Sequence, residues 1–242
     1  MPTIKGGKGA EDHKEKDVKS KSMTIFTAVM VVGMLAACAG NPRPSPGTES
    51  GPRFVLNLEP GPHYAKTVGT FPARYTVQPQ VAVWLQTPGG KYIETVYVTA
   101  RGEKGNWRMA PKEGRPEALP VWYHLKQGSA DAVSSATATD SAVTYGNGIA
   151  ARLPAGTYVI MLETNRSYDW NERYTKDNAG VSGQPSIIYR AEITIGGGRT
   201  EARFVPFGTG SVDGSDGMVR TGLEGLDTAL ELFSSMKVSY EL

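Results

Sequence analysis

The chain is poor in the residues that build most metal and redox centres. It holds one cysteine, Cys38, in 242 residues. That excludes an internal disulfide framework, a multi-cysteine zinc or iron–sulfur site and a C-x-x-C-H haem attachment. Histidines number three, and none stands in an H-E-x-x-H; a G-x-S-x-G is also missing, so hydrolytic catalysis has little support. There is no G-x-G-x-x-G and no strand–helix alternation, which disfavours a dinucleotide-binding fold. The formal charge is only +2, and it belongs to residues 1–37, which carry six lysines against four acids. The remainder is neutral and offers no electrostatic footprint for nucleic acid.

What the sequence has in quantity is glycine and proline, 29 and 16 residues, the mark of a turn-rich β protein. From Arg53 the apolar pattern has period two. Residues 54–58 (FVLNL) form a short strand. Val81, Val83 and Leu85 alternate with Ala82, Trp84 and Gln86, the turn Pro88-Gly89-Gly90-Lys91 follows, and YIETVYVT over 92–99 completes a hairpin. Residues 148–153 suggest a further strand. TYVIMLET over 157–164 and SIIYRAEITI over 186–195 are strong ones, and Gly196-Gly197-Gly198 turns into another over 200–206. The spacing of Leu223, Leu226, Leu230 and Phe233 predicts a helix over 222–236. The expected fold is therefore mainly β: an antiparallel β-sandwich with one C-terminal helix, occupying residues 53–242.

Residues 24–37 (TIFTAVMVVGMLAA) are uncharged and follow Lys19 and Lys21. Fourteen residues are too few to span a bilayer core of ~30 Å as a helix, but they suit the apolar region of a secretory signal. Leu35-Ala36-Ala37-Cys38 resembles the bacterial lipoprotein signal, which implies acylation of Cys38. Residues 1–37 are then a signal peptide, with an over-extended start and the true initiator at Val18. Residues 38–52, ending in a Pro/Ser/Gly-rich spacer, form a flexible tether to the membrane. Ala39 and Gly40 carry no acidic retention signal, so the outer membrane is the expected location in a diderm host.

A second resemblance rests on Val81-Ala82-Val83-Trp84, Thr95-Val96-Tyr97-Val98-Thr99, Arg115-Pro116-Glu117 with Leu119-Pro120-Val121-Trp122, Gly183-Gln184-Pro185-Ser186 and Tyr189-Arg190-Ala191-Glu192. With the Gly-Ser and Asp-Gly-Ser-Asp-Gly tail of 210–217, these look like a bacterial family of predicted periplasmic proteins of unknown function. The resemblance covers roughly 53–236. It implies an extracytoplasmic β domain, sometimes found near flavin-transferase and membrane redox systems.

Four groups of residues could carry chemistry. A long insertion over 100–129 holds Trp107, Trp122, Tyr123 and His124, the expected ligand-binding surface. Asp131-Ala132-Val133-Ser134-Ser135-Ala136-Thr137 resembles the signature D-x-x-(S/T)-G-A-T for covalent FMN attachment, with Ser135 in place of the glycine. By that resemblance Thr137 is the acceptor, Asp131 helps a flavin transferase engage, and the chain is a redox carrier. Asp213 and Asp216 stand in a glycine-bracketed loop whose oxygens suit Ca²⁺. Asp169, Asn171, Glu172, Asp177 and Asn178 mix with Tyr168, Trp170 and Tyr174 in a polar loop of the kind that binds sugars or peptides. The leading expectation is a lipid-anchored, non-catalytic binding or accessory module of the cell envelope, with no cofactor, no nucleic-acid partner and contacts to envelope proteins. Covalent FMN and Ca²⁺ are the alternatives.

Overall fold

The computed structural model describes residues 51–104, 114–126, 134–135, 142–145 and 148–242, all within the compact unit Pro46–Leu242. Strands dominate. In β1 (Arg53–Pro60) the expected alternation is present, with Phe54, Leu56 and Leu58 buried. A small two-stranded hairpin follows, β2 (Lys66–Val68) with β3 (Tyr75–Val77). The predicted hairpin of 81–99 is β4 (Gln80–Gln86) and β5 (Tyr92–Thr99). Gly90 takes the left-handed φ of 85° at its turn, a conformation that favours glycine. Next come α1 (Ala100–Lys104), α2 (Pro120–Leu125), β6 (Ser134–Ser135), β7 (Ala142–Tyr145) and α3 (Ile149–Arg152). The strand expected over 148–153 is thus a single helical turn. The remaining elements are β8 (Gly156–Asn165), α4 (Lys176–Ala179), β9 (Ile187–Ile195), β10 (Thr200–Arg203), β11 (Val205–Thr209) and β12 (Phe233–Glu241). Among the described residues no helix is long and apolar enough to cross a membrane.

These strands form a four-stranded sheet, β10-β12-β1-β7, and a six-stranded sheet, β11-β9-β8-β4-β5-β6. Every described ladder is antiparallel except β5–β6. The fold is mainly β with antiparallel sheets, as expected. One apolar cluster draws on both sheets: Phe54, Leu56 and Val238 from the smaller, Val83, Ile160 and Ile187 from the larger. The larger sheet is also buried on its other face. There Trp84, Val159, Met161 and Ile188 pack with Leu119, Val121 and Trp122 of the insertion. Alternation along β8 sorts Ile160 and Leu162 to the first cluster and Val159 and Met161 to the second. Fully burying such a side chain stabilises by roughly 1.5–3 kcal/mol, so residues 119–122 of the insertion are a structural layer on this sheet.

The helix expected over 222–236 is not formed. Gly222 and Gly225 adopt φ of 102° and 78°, which a right-handed helix forbids. One 3₁₀ turn, Thr228–Glu231, is all the helix that remains. Leu223, Leu226 and Leu230 still pack against the core, so their apolar spacing is satisfied without a helix. From Phe233 onward β12 inserts between β1 and β10, with Leu56 opposite Val238 and Ala202 opposite the same residue on the far side. Two full ladders outweigh the local periodicity.

Candidate functional site: an aromatic face on a buried polar seam

Residues 166–186 connect β8 to β9. A connection this long is stable only if its backbone and polar groups find partners. Here most do so through a seam beneath the surface, although Arg166 Nε and Asp169 Oδ2 are buried with no hydrogen-bond partner among the described residues. Arg166 and Asp169 are each 3% exposed at the side chain and pair with one another; Arg166 also donates to the His63 carbonyl. The Thr228 hydroxyl donates to Asp169 Oδ1 at 2.7 Å. Gln184 is wholly buried. Its amide nitrogen donates to Asp227 Oδ1 at 2.6 Å and to Thr228 Oγ1 at 2.9 Å, while its Oε1 accepts from the Asp227 amide at 2.9 Å. Burial works against ionising Asp227, but hydrogen bonds from Thr228, Asn171 and Gln184 outweigh it and hold the carboxyl below its ordinary value.

Arg115, in the insertion, clamps both ends of the connection. Its Nη1 donates to Ser167 and its Nη2 to Ser182, both at 3.0 Å, and its Nε donates to Glu117 at 2.8 Å. Gly183 closes the loop with φ 78° against the backbone of Asp169; a Cβ there would lie 2.5 Å from the Asp169 carbonyl. Asn171 and Asn178 bond within the loop to Arg173, Tyr174 and Thr175, and Asn171 also donates to the Gly225 carbonyl outside it.

Above the seam stands a row of aromatic rings. Tyr168 holds a φ of 64°, the sole positive value at a non-glycine residue among those described. Such a conformation costs about 1–3 kcal/mol and persists only when its surroundings enforce it. Its amide donates to the Val181 carbonyl at 2.7 Å, and its carbonyl accepts from Lys66 of β2. The Tyr168 ring lies edge-on to Trp170 at 5.5 Å and to Tyr75 at 6.4 Å, and the two tyrosine hydroxyls are 2.9 Å apart. Trp170 Nε1 donates to the Gly180 carbonyl at 2.7 Å, and Lys66 Nζ sits 5.9 Å from the Trp170 ring. Tyr75 is exposed, Tyr168 and Trp170 half-buried. Phe71, at the tip of the β2–β3 hairpin, is 86% exposed. Rigid aromatics beside a cation and the exposed carboxylates Glu172 and Asp177 can stack on a flat ligand and bond its polar rim.

The other expected sites fall elsewhere. Trp122 is 1% exposed and donates Nε1 to Thr95 Oγ1 at 2.9 Å. It is a core residue and offers no face to a ligand, because residues 119–122 pack onto the sheet. Tyr123 and His124 are half-buried. His124 Nε2 lies 3.0 Å from the Gly214 carbonyl, and Lys126 Nζ covers the Trp122 ring at 4.3 Å and the Tyr123 ring at 5.4 Å. Asp213 accepts from Ser211 and from the Ser215 amide. Hydrogen bonds from the Ser215 hydroxyl and amide, then from Ser211, hold its carboxyl down at about 2. Both oxygens of Asp216 accept from Arg220, at 3.1 and 2.8 Å. Among the described residues no group of three or more His, Cys, Asp or Glu is placed to hold a metal ion. Cys38, Trp107, Asp131 and Thr137 lie outside the described residues.

Glu163 escaped sequence reasoning. It sits in β8 wholly buried, on the face of Val159 and Met161. Helix α2 has no side-chain cap of its own; Glu163 supplies one from the sheet. Its Oε1 accepts from the Val121 amide at 3.2 Å and from the Ser186 hydroxyl at 2.6 Å, and its Oε2 from the Trp122 amide at 2.8 Å. Burial pushes the carboxyl up to about 7, against the lowering effect of those bonds. The signal was present: one carboxylate directly after the apolar run Val159–Leu162 of a buried strand. Comparison with family models, curated proteins and solved structures finds no match to this chain.

Proposed function

We propose that the chain is an extracytoplasmic lipoprotein, anchored to a membrane through acylated Cys38. Its β domain, a sandwich of the two sheets, serves as a non-catalytic binding or accessory module of the cell envelope. The observation that carries the binding reading is the Tyr75–Tyr168–Trp170 row. The loop commits its buried polar groups to holding shape, and keeps a strained tyrosine, while its rings stay at the surface. Conformational strain held by so many partners is characteristic of a site in which geometry matters. The apolar segment before Cys38, and the neutral chain after it, support export followed by tethering.

Fractionation and intact-mass measurement of the chain expressed in a bacterial host test the anchor. Wild type should carry the mass of acyl chains and enter the membrane fraction, and Cys38→Ser should lose both. A soluble, unacylated wild type would sink the anchor. The same mass reads the alternative: an FMN adduct abolished by Thr137→Ala would make the chain a redox carrier. For the binding module, sedimentation with purified envelope fragments should fall several-fold in Trp170→Ala. Equal sedimentation of wild type and Trp170→Ala would remove the aromatic row as the working face.

A further inference from the structure

Where the chain leaves the small sheet at Arg203 and joins the large one at Val205, it passes through Phe204, which is buried and bonds to Met236. Beside this crossing is a cleft of about 280 Å³, just under the ~300–1,000 Å³ of drug-sized ligand sites. Phe204, Leu230, Phe233 and Met236 give it apolar walls. Three polar groups that line it are not consumed by the fold. Tyr189 is 4% exposed, and its hydroxyl has no hydrogen-bond partner among the described residues. Arg203 is exposed and unpaired among the described residues, since the carboxylates on the adjoining strands are engaged: Glu201 by Lys237, Glu241 by Arg53 and Arg199. The Ser235 hydroxyl is likewise without a partner among the described residues, while Ser234 donates to the carbonyls of Glu59 and Pro60.

Although the residue is buried, the Tyr189 hydroxyl is not sealed in the core and can be reached from the cleft. Burial pushes its pKa up to about 12, so it stays a neutral donor. Arg203 lines the same cleft, and a guanidinium is a fork for a carboxylate. We propose that the cleft binds a small amphiphilic monocarboxylate, its apolar part on Phe204, Leu230, Phe233 and Met236 and its carboxylate between Arg203 and the Tyr189 hydroxyl. This site is separate from the aromatic row, and it stands whether or not that row binds an envelope ligand.

Octanoate titrated into the full-length chain, followed by calorimetry, tests it, with 1-octanol as the uncharged control. Octanoate should bind saturably, and octanol at least tenfold more weakly. Arg203→Gln, at an exposed position, should weaken octanoate tenfold or more without moving the melting midpoint. Tyr189→Phe, which keeps the ring, should weaken it several-fold. No saturable octanoate binding, octanol binding as tight as octanoate, or affinity unchanged in both variants would each overturn the assignment.

Discussion

Raising the pH toward neutrality should weaken the fold through one side chain. Glu163 is wholly buried, and its carboxyl is pushed from 4.5 to about 7 by burial, partly offset by Ser186, Trp122 and Val121. An acid whose folded pKa lies above its unfolded value binds more protons in the native state between the two. The stability it contributes is full below about pH 4.5, falls as pH rises, and is lost above about pH 7. At ~1.4 kcal/mol for each pH unit of difference, the loss is on the order of 3 kcal/mol. The neutral acid suits its site: it can donate to Ser186 and still accept from both amides of α2. Glutamine cannot, because its NH₂ would face one of those two N–H groups. Glu163→Gln should therefore cost about 1–3 kcal/mol at pH 5 and approach wild type near pH 8, with no slope of its own in that window. Urea unfolding followed by tryptophan fluorescence from pH 4.5 to 8 measures both curves. Parallel curves, or a flat wild type, would refute the reasoning.

Trp122→Ala should destabilise by about 3–5 kcal/mol in the same unfolding assay, the cost of a cavity under the insertion. It should leave the sedimentation of the remaining folded protein with envelope fragments unchanged. Gly183→Ala should cost about 1–3 kcal/mol through strain at a positive φ and should speed hydrogen exchange at the Asp169 and Gln184 amides; unchanged exchange there would contradict the closure of the loop by Gly183. Asp216→Asn should leave the melting midpoint at the wild-type value, because its pair with Arg220 is exposed. Millimolar calcium should not raise that midpoint, since Asp213 and Asp216 already accept from protein donors; a rise would restore the cation reading by linkage.

The strands were legible where period two coincided with turn chemistry. β4 and β5 flank a Pro-Gly-Gly turn, and β8 and β9 carry long β-branched runs. The C-terminal segment misled because its leucines recur every three or four residues, yet two glycines inside that span were a counter-signal, and a strand inserted between two distant partners cannot be seen locally. Trp122 was read as surface because nothing in residues 120–125 reveals that a sheet lies beneath them. The connection over 166–186 was visible as a polar, aromatic loop. That Arg166, Asp169 and Gln184 are its buried frame was not, because their partners Thr228, Asp227 and His63 are more than 40 residues away and Arg115 reaches Ser167 and Ser182 from another element.

The ladder between β1 and β12 sets how the domain responds to force. Arg53 stands opposite Glu241, and the two side chains meet at 2.7 Å, so the domain's first and last strands emerge side by side. Pulling on those two ends would open the ladder like a zip, one pair at a time, beginning with Arg53 and Glu241 and reaching Phe54 and Tyr240 next. Resistance along this axis is that of single strand pairs broken in succession, far below that of a ladder sheared all at once. The same closeness means that a few flexible residues could join Glu241 to Arg53, and that new ends could be cut in an exposed turn such as Gly196-Gly197-Gly198 while the sheets stay intact.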